Sequence, residues 1–277
     1  MNENHAEAYI DLLKRSLTHS LYRGSDALGF AFQGPLRRLV IKTLRRRRIE
    51  LVRVLPDHEQ QREVGGYWPL FAQTMIGTKR LDSLQECVET VIAEGVPGDL
   101  IEAGVWRGGA TILMRGLLKA RNVTDRLVWV ADSFRGLPAP DAERYPIDEG
   151  SSLHEADELA VPLDEVRDNF RRYGLLDEQV RFLPGWFGET LATLGDERFA
   201  VVRLDGDLYS STIDGLRHLY PRLSDGGFLI VDDYNIPNCR RAVEDYREEH
   251  RIREPIVDID GRGVYWRRAG VTDPAAA

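Results

Sequence analysis

From about residue 78 onward the apolar positions switch repeatedly between helical spacing and short unbroken runs. Leu81, Leu84, Val88 and Ile92 share one helical face, which Gly95 and Pro97 stop. Asp99 to Glu102 reads as a short buried strand, 110–120 as a helix, and Leu127 to Ala131 as a second strand ending at Asp132. A helix is expected over 163–173, then strands at Val180 to Leu183 and Phe199 to Leu204. The pattern continues with a helix over 211–222 and a strand at Gly227 to Val231. It closes with a helix near 239–250 and two strands, Pro255 to Ile259 and Val264 to Arg267, joined by a Gly-Arg-Gly turn. Strands alternating with helices predict a mostly parallel sheet covered on both faces, here with a terminal hairpin. Ligands of such sheets bind beyond the carboxyl ends of the strands, where the polar clusters of this chain fall.

Upstream, Ala6, Ile10, Leu13, Leu17 and Leu21 give 6–22 a helical spacing. Residues 35–55 are strongly basic, with Arg45 to Arg48 in a row, and read as a solvated helix packed through Leu39, Ile41, Leu44 and Leu51. A patch for an anionic ligand or surface is the alternative, with no other feature supporting it. The expected organisation is therefore a helical, basic extension over 1–64, an α/β domain over 65–268 and a disordered tail over 269–277. The polar segment 135–160 carries three prolines and many acids, and is too long for a plain connection.

Composition narrows the class. Of 277 residues, 43% are hydrophobic and 30% charged, which excludes collagen, wholesale disorder and a disulfide-stapled mini-protein. Lys+Arg number 37 against Asp+Glu 45, a net charge of -8 with no global attraction for nucleic acid. Cys87 and Cys239 are too few for a disulfide framework and form no metal-ligand pair. No apolar run approaches the ~20 residues of a membrane span, and the N-terminus lacks the order of a signal peptide. A soluble, cytoplasmic protein with no membrane or nucleic-acid partner is expected.

Chemistry concentrates at the strand ends. Glu102-Ala-Gly104-Val-Trp106-Arg-Gly108-Gly109 follows the first strand, and its glycines permit close approach of a ligand. A dinucleotide turn would read G-x-G-x-x-G; here Glu102 would repel a pyrophosphate but balance a cationic ligand. The pattern E-x-G-x-x-x-G-G is that of the nucleotide-binding turn of S-adenosylmethionine-dependent methyltransferases. Asp132 can accept both hydroxyls of a ribose, with Ser133 donating to the same sugar. Gly185, Trp186 and Phe187 offer a tight turn and aromatic surface for an adenine ring. Asp205-Gly-Asp207 and Asp232-Asp233 end two further strands. Four carboxylates so close would repel one another unless a cation sat between them. With no His or Cys among them, a hard ion, Mg²⁺ or Ca²⁺, is expected. Adjacent strand residues point to opposite faces, so Asp232 and Asp233 can share one ion only if the strand ends there. His154 lies in the segment that could cover the site and is a candidate substrate contact.

Taken together these segments resemble the macrocin O-methyltransferase family, metal-dependent sugar methyltransferases of antibiotic pathways. Matching stretches include Thr74-Met-Ile-Gly77, Glu102 to Gly109, Val130-Ala-Asp-Ser-Phe134, Gln179 to Phe187, Asp205-Gly-Asp207, Asp232-Asp-Tyr234 and Gly263-Val-Tyr-Trp266. The resemblance spans about 65–268 and departs at 24–62 and 135–160, both expected to shape the acceptor pocket. It implies a class I methyltransferase (Rossmann-like) seven-stranded sheet and methyl transfer from S-adenosylmethionine to a deoxysugar hydroxyl of a glycosylated small molecule. It further implies cofactor contacts from Thr74, Met75, Ile76, the Glu102–Gly109 turn, Asp132, Ser133, Gly185, Trp186, Phe187 and Asp205. Mg²⁺ would be held by Asp205, Asp232 and Asp233, Asp205 or Asp207 would be the base, and His154 and Tyr234 would meet the substrate. A homodimer or larger homo-oligomer is implied as well. The alternatives are a catechol-type phenolic methyltransferase, a nicotinamide-dependent oxidoreductase and a non-enzymatic scaffold.

Overall fold

A computed structural model describes residues 3–22, 27–29, 40, 43–44, 46–47, 49, 52–54 and 59–270. Helix α1 (Glu3–Leu17) buries Ala6, Ile10, Leu13 and Leu17. It is shorter than its spacing suggests because His19 takes a left-handed φ of 58°. Strands β1 (Ala27–Gly29) and β2 (Val52–Val54) pair antiparallel. The latter replaces the end of the helix expected over 35–55; Leu39, Ile41, Leu51, Arg45 and Arg48 lie outside the described residues. So does the tail over 271–277.

Next come α2 (Glu59–Glu63), α3 (Thr78–Ala93), β3 (Asp99–Ala103), α4 (Gly109–Ala120) and β4 (Val128–Asp132). After the 135–160 segment, which contains only short 3-10 turns, follow α5 (Leu163–Arg172), β5 (Val180–Pro184), α6 (Phe187–Thr190) and β6 (Phe199–Leu204). The chain finishes with α7 (Tyr209–Leu219), β7 (Leu223–Val231), α8 (Pro237–Glu249), β8 (Val257–Asp258) and β9 (Val264–Arg267). Strand β7 begins at Leu223, four residues before the Gly227 start expected from the sequence. Leu223 pairs with Phe199, and the register shifts before Val201 meets Phe228.

The seven-stranded sheet has the order β5-β4-β3-β6-β7-β9-β8. The pairings from β5 to β7 are parallel, and β9 runs antiparallel to both its neighbours, β7 and β8. Alternate residues feed two cores, as a strand covered on both faces requires. Leu100, Val130, Val201 and Ile230 pack with α1, α3, α4 and α5, whereas Ile101, Ala131, Val202 and Val231 pack with α7 and α8. No helix among the described residues is long and apolar enough to cross a membrane. The chain leaves β3 toward β4 and β5, then crosses back to β6. The carboxyl ends of β3, β4 and β6 therefore open a crevice where the strand order reverses.

Candidate active site

That crevice is a cavity of about 870 Å³, large enough for a drug-sized ligand. Thr74, Met75, Ile76, Glu102, Gly104, Trp106, Asp132, Ser133, Trp186, Phe187 and all four strand-end aspartates line it. Gly108, Gly109 and Gly185 do not; they shape the chain behind it. Gly108 takes φ 85° at the start of α4, and a Cβ on Gly109 would stand 2.5 Å from the Gln73 carbonyl oxygen. The glycine at 109 thus lets the Thr74 segment lie across the first turn of α4. Arg107 secures that segment by donating to the carbonyls of Pro69, Leu70 and Ala72 at 3.3, 2.9 and 2.8 Å.

Asp132 accepts the backbone N–H of Val105 at 2.7 Å through Oδ2 and that of Phe134 at 2.7 Å through Oδ1. Burial raises its pKa, and the backbone donors oppose the shift. Its side chain lines the cavity. The Ser133 hydroxyl lines the cavity too; it donates to the Gly136 carbonyl at 2.6 Å and accepts the Arg135 N–H at 3.0 Å. His154 is exposed and outside the lining, where Leu153 of the same 3-10 turn takes its place. Tyr234 also stays out of the lining: it packs on the core while Asn235 and Ile236 face the cavity.

Carboxylate oxygens of Asp205, Asp207 and Asp233 lie within 4.8 Å of one another. Asp232, expected to join them, turns the other way. It is 4% exposed and sits between the guanidinium groups of Arg80 and Arg203, bonded to both. The strand ends at Val231, yet the alternation persists for one more residue and separates the adjacent acids. Asp207 completes the group in place of Asp232. Its side of the cluster is brought in by a left-handed φ of 57°, and its N–H donates to Asp233 Oδ2 at 3.2 Å.

Arg203 is the centre of a buried ion network. It lies opposite Glu102 in the β3–β6 register and bonds its Oε1. The same guanidinium reaches Asp205 Oδ2 at 3.0 Å and Asp232. Arg80 continues the chain from Asp232 to Asp260 at 3.0 Å. Glu102 Oε2 is buried without a hydrogen-bond partner. Sequence reasoning missed Arg80 and Arg203, although a single arginine in the apolar run Phe199-Ala-Val-Val-Arg-Leu204 was a signal: a charge in a doubly covered strand needs partners. It also missed a charged wall of Asp214, Arg217 and His218 on α7, which lines the cavity with Arg144.

Burial raises Glu102 to about 8, because one guanidinium serves three acids and Asp205 and Asp232 repel it. Burial and the charges of Asp205 and Asp232 raise Asp207 to about 7. Asp205 and Asp233 are shifted upward by the same causes. Carboxyls with raised folded pKa values favour the folded state at low pH, and that contribution is lost as pH rises through about 7 to 8. In chelator, the unfolding temperature is expected to fall between pH 5 and pH 8. Added Mg²⁺ should raise it more at pH 8 than at pH 6, which scanning fluorimetry would read directly; an equal rise at both would refute the assignment.

A central strand followed by a Gly-rich turn, acids at the next strand ends and this sheet order together define a class I O-methyltransferase. The macrocin O-methyltransferase (TylF) family model matches residues 6–268, and the chain belongs to that family. The chain is similar to 8-demethyl-8-(2,3-dimethoxy-alpha-L-rhamnosyl)-tetracenomycin-C 4'-O-methyltransferase of Streptomyces olivaceus, at 50% identity over 98% of this chain and 97% of that one. Mycinamicin III 3''-O-methyltransferase of Micromonospora griseorubida is 50% identical over 95% of this chain and 97% of its own. Among solved structures, the O-methyltransferase NovP matches with a TM-score of 0.83 and 46% identity, covering 96% of this chain and all, 100%, of that chain. Family membership removes the oxidoreductase and scaffold alternatives.

Proposed function

We propose that the enzyme transfers a methyl group from S-adenosylmethionine to a deoxysugar hydroxyl of a glycosylated natural product, with Mg²⁺ as its metal. The carrying observation is the cluster of Asp205, Asp207 and Asp233 in the same cavity as the Glu102–Gly109 turn. The relatives named above act on sugars attached to antibiotics, which supports the acceptor class. The residues fit both groups. Three half-buried carboxylates with no His or Cys suit a hard cation, and the unpartnered Glu102 Oε2 suits a cationic cofactor. Asp132 offers its remaining lone pairs to ribose hydroxyls, and Trp186 and Phe187 offer an aromatic surface to adenine.

A sugar hydroxyl loses its proton reluctantly near neutral pH. Mg²⁺ at this site would lower the pKa of that hydroxyl by Lewis acidity. Asp205 and Asp233, whose carboxylate oxygens lie within 4.8 Å of each other, would hold the ion. Asp207 then takes the hydroxyl proton as the oxygen attacks the sulfonium methyl, since a ligating carboxylate is a weaker base. The turn and the Thr74 segment contribute by holding the reacting atoms in line. The 135–160 segment and the α7 wall of Asp214, Arg217 and His218 surround the acceptor. A homo-oligomer and a cytoplasmic location belong to the same reading; light scattering after size exclusion tests the first.

Calorimetric titration with S-adenosylhomocysteine and with NAD, each with Mg²⁺ and with chelator, tests the cofactor. Heat with S-adenosylhomocysteine alone is the expected result; silence would overturn the reading. An acceptor screen of deoxysugar glycosides against catechols then separates sugar from phenol methylation.

A further inference from the structure

Asp148 belongs to the covering segment 135–160, far in sequence from the acids, yet it is fully buried at 0% exposure. Its Oδ1 accepts the Tyr209 N–H at 2.8 Å and the Asn238 Nδ2 at 3.0 Å, and its Oδ2 accepts the Ser210 N–H at 2.9 Å. Asn238 also donates to the Ile147 carbonyl at 2.8 Å. These donors open the two helices that follow the acid-bearing strands: Tyr209 and Ser210 begin α7, just past Asp207, and Asn238 stands in the first turn of α8, just past Asp233.

Neither helix has a side-chain cap of its own, since Leu208 and Ile236 occupy the capping positions. Helix starts leave N–H groups without partners, and Asp148 supplies the missing acceptor to α7 from a distant segment. The turn it steadies is tight. Asp207 takes φ 57° and the Leu208 N–H meets the Gly206 carbonyl at 2.5 Å. A non-glycine residue keeps such a conformation only where its surroundings hold it.

We propose that Asp148 is a positioning residue for the metal site: it clasps both acid-bearing loops to the covering segment and so holds Asp205, Asp207 and Asp233 at cation spacing. This rests on the metal reading above. Outer residues that orient ligands typically change metal affinity by about 10- to 100-fold when replaced.

The test titrates the full chain with Mg²⁺ and, separately, with S-adenosylhomocysteine, in wild type, Asp148→Ala, Asp148→Asn and Asn238→Ala. Asp148→Asn keeps the volume and one accepting oxygen, so it reports even where Asp148→Ala does not fold. Mg²⁺ affinity is expected to fall about tenfold or more in Asp148→Asn, and less in Asn238→Ala, with S-adenosylhomocysteine affinity unchanged in both. Unchanged Mg²⁺ affinity beside a lowered unfolding temperature would make Asp148 merely structural and overturn the inference alone. A wild type that binds no Mg²⁺ would overturn the metal reading, and the inference with it.

Discussion

Asparagine at position 207 is expected to lower turnover by about two to four orders of magnitude, the usual contribution of a positioned base. S-adenosylhomocysteine affinity should stay within a few fold, because the proposed reading assigns Asp207 to the acceptor hydroxyl and not to the cofactor. The substitution keeps the volume of the side chain and the left-handed backbone, which asparagine tolerates better than most residues. Initial rates on the acceptor found by screening, set beside calorimetry of the same preparation, check it. Wild-type turnover in Asp207→Asn would remove Asp207 from the base role and leave Asp205 to be tried.

The second large effect concerns stability. Arg203→Met removes the one guanidinium among the described residues that touches Glu102, Asp205 and Asp232 together. Breaking a buried pair on one side typically costs about 3–5 kcal/mol, because the remaining charge is buried alone. For a chain of this size that lowers the unfolding temperature by roughly 10 °C. The acids can take up protons, so the loss should be smaller at pH 5.5 than at pH 8. Scanning calorimetry at the two values measures it, and a loss independent of pH would show that packing, not charge, is what Arg203 supplies. Arg203→Lys keeps the charge but not the fork, and should recover only part of the difference.

Much of the fold was readable because a doubly covered strand leaves an unbroken apolar run and a covered helix leaves a stripe. Residues 128–131 and 199–202 show the first, and Leu81, Leu84 and Val88 the second. The acids at the strand ends were readable for the same reason, since topology brings those ends to one edge. Orientation was not. Asp232 and Asp233 are neighbours with identical side chains, and only the position of Arg80 and Arg203 decides which one joins the cluster with Asp205 and Asp207. Leu153 rather than His154 lines the site because one 3-10 turn sets both directions, and no periodicity runs through so short a turn. Asp148 was one acid among several in a polar stretch. Its partners, Tyr209, Ser210 and Asn238, are remote in sequence and offer backbone or amide N–H groups that leave no compositional trace.

A Cβ on Gly104 would stand 1.8 Å from the Asp205 carbonyl oxygen. The turn after β3 and the acid after β6 therefore touch through bare backbone, and neither can change shape without the other. Recombining this chain with a homologue should respect that seam. A crossover that parts Gly104 from Asp205 joins halves shaped by different partners, whereas exchanging 135–160 alone moves the segment proposed to surround the acceptor as one cassette. Such a cassette must bring an acid at position 148, or the chimera inherits a new specificity on a loosened hinge.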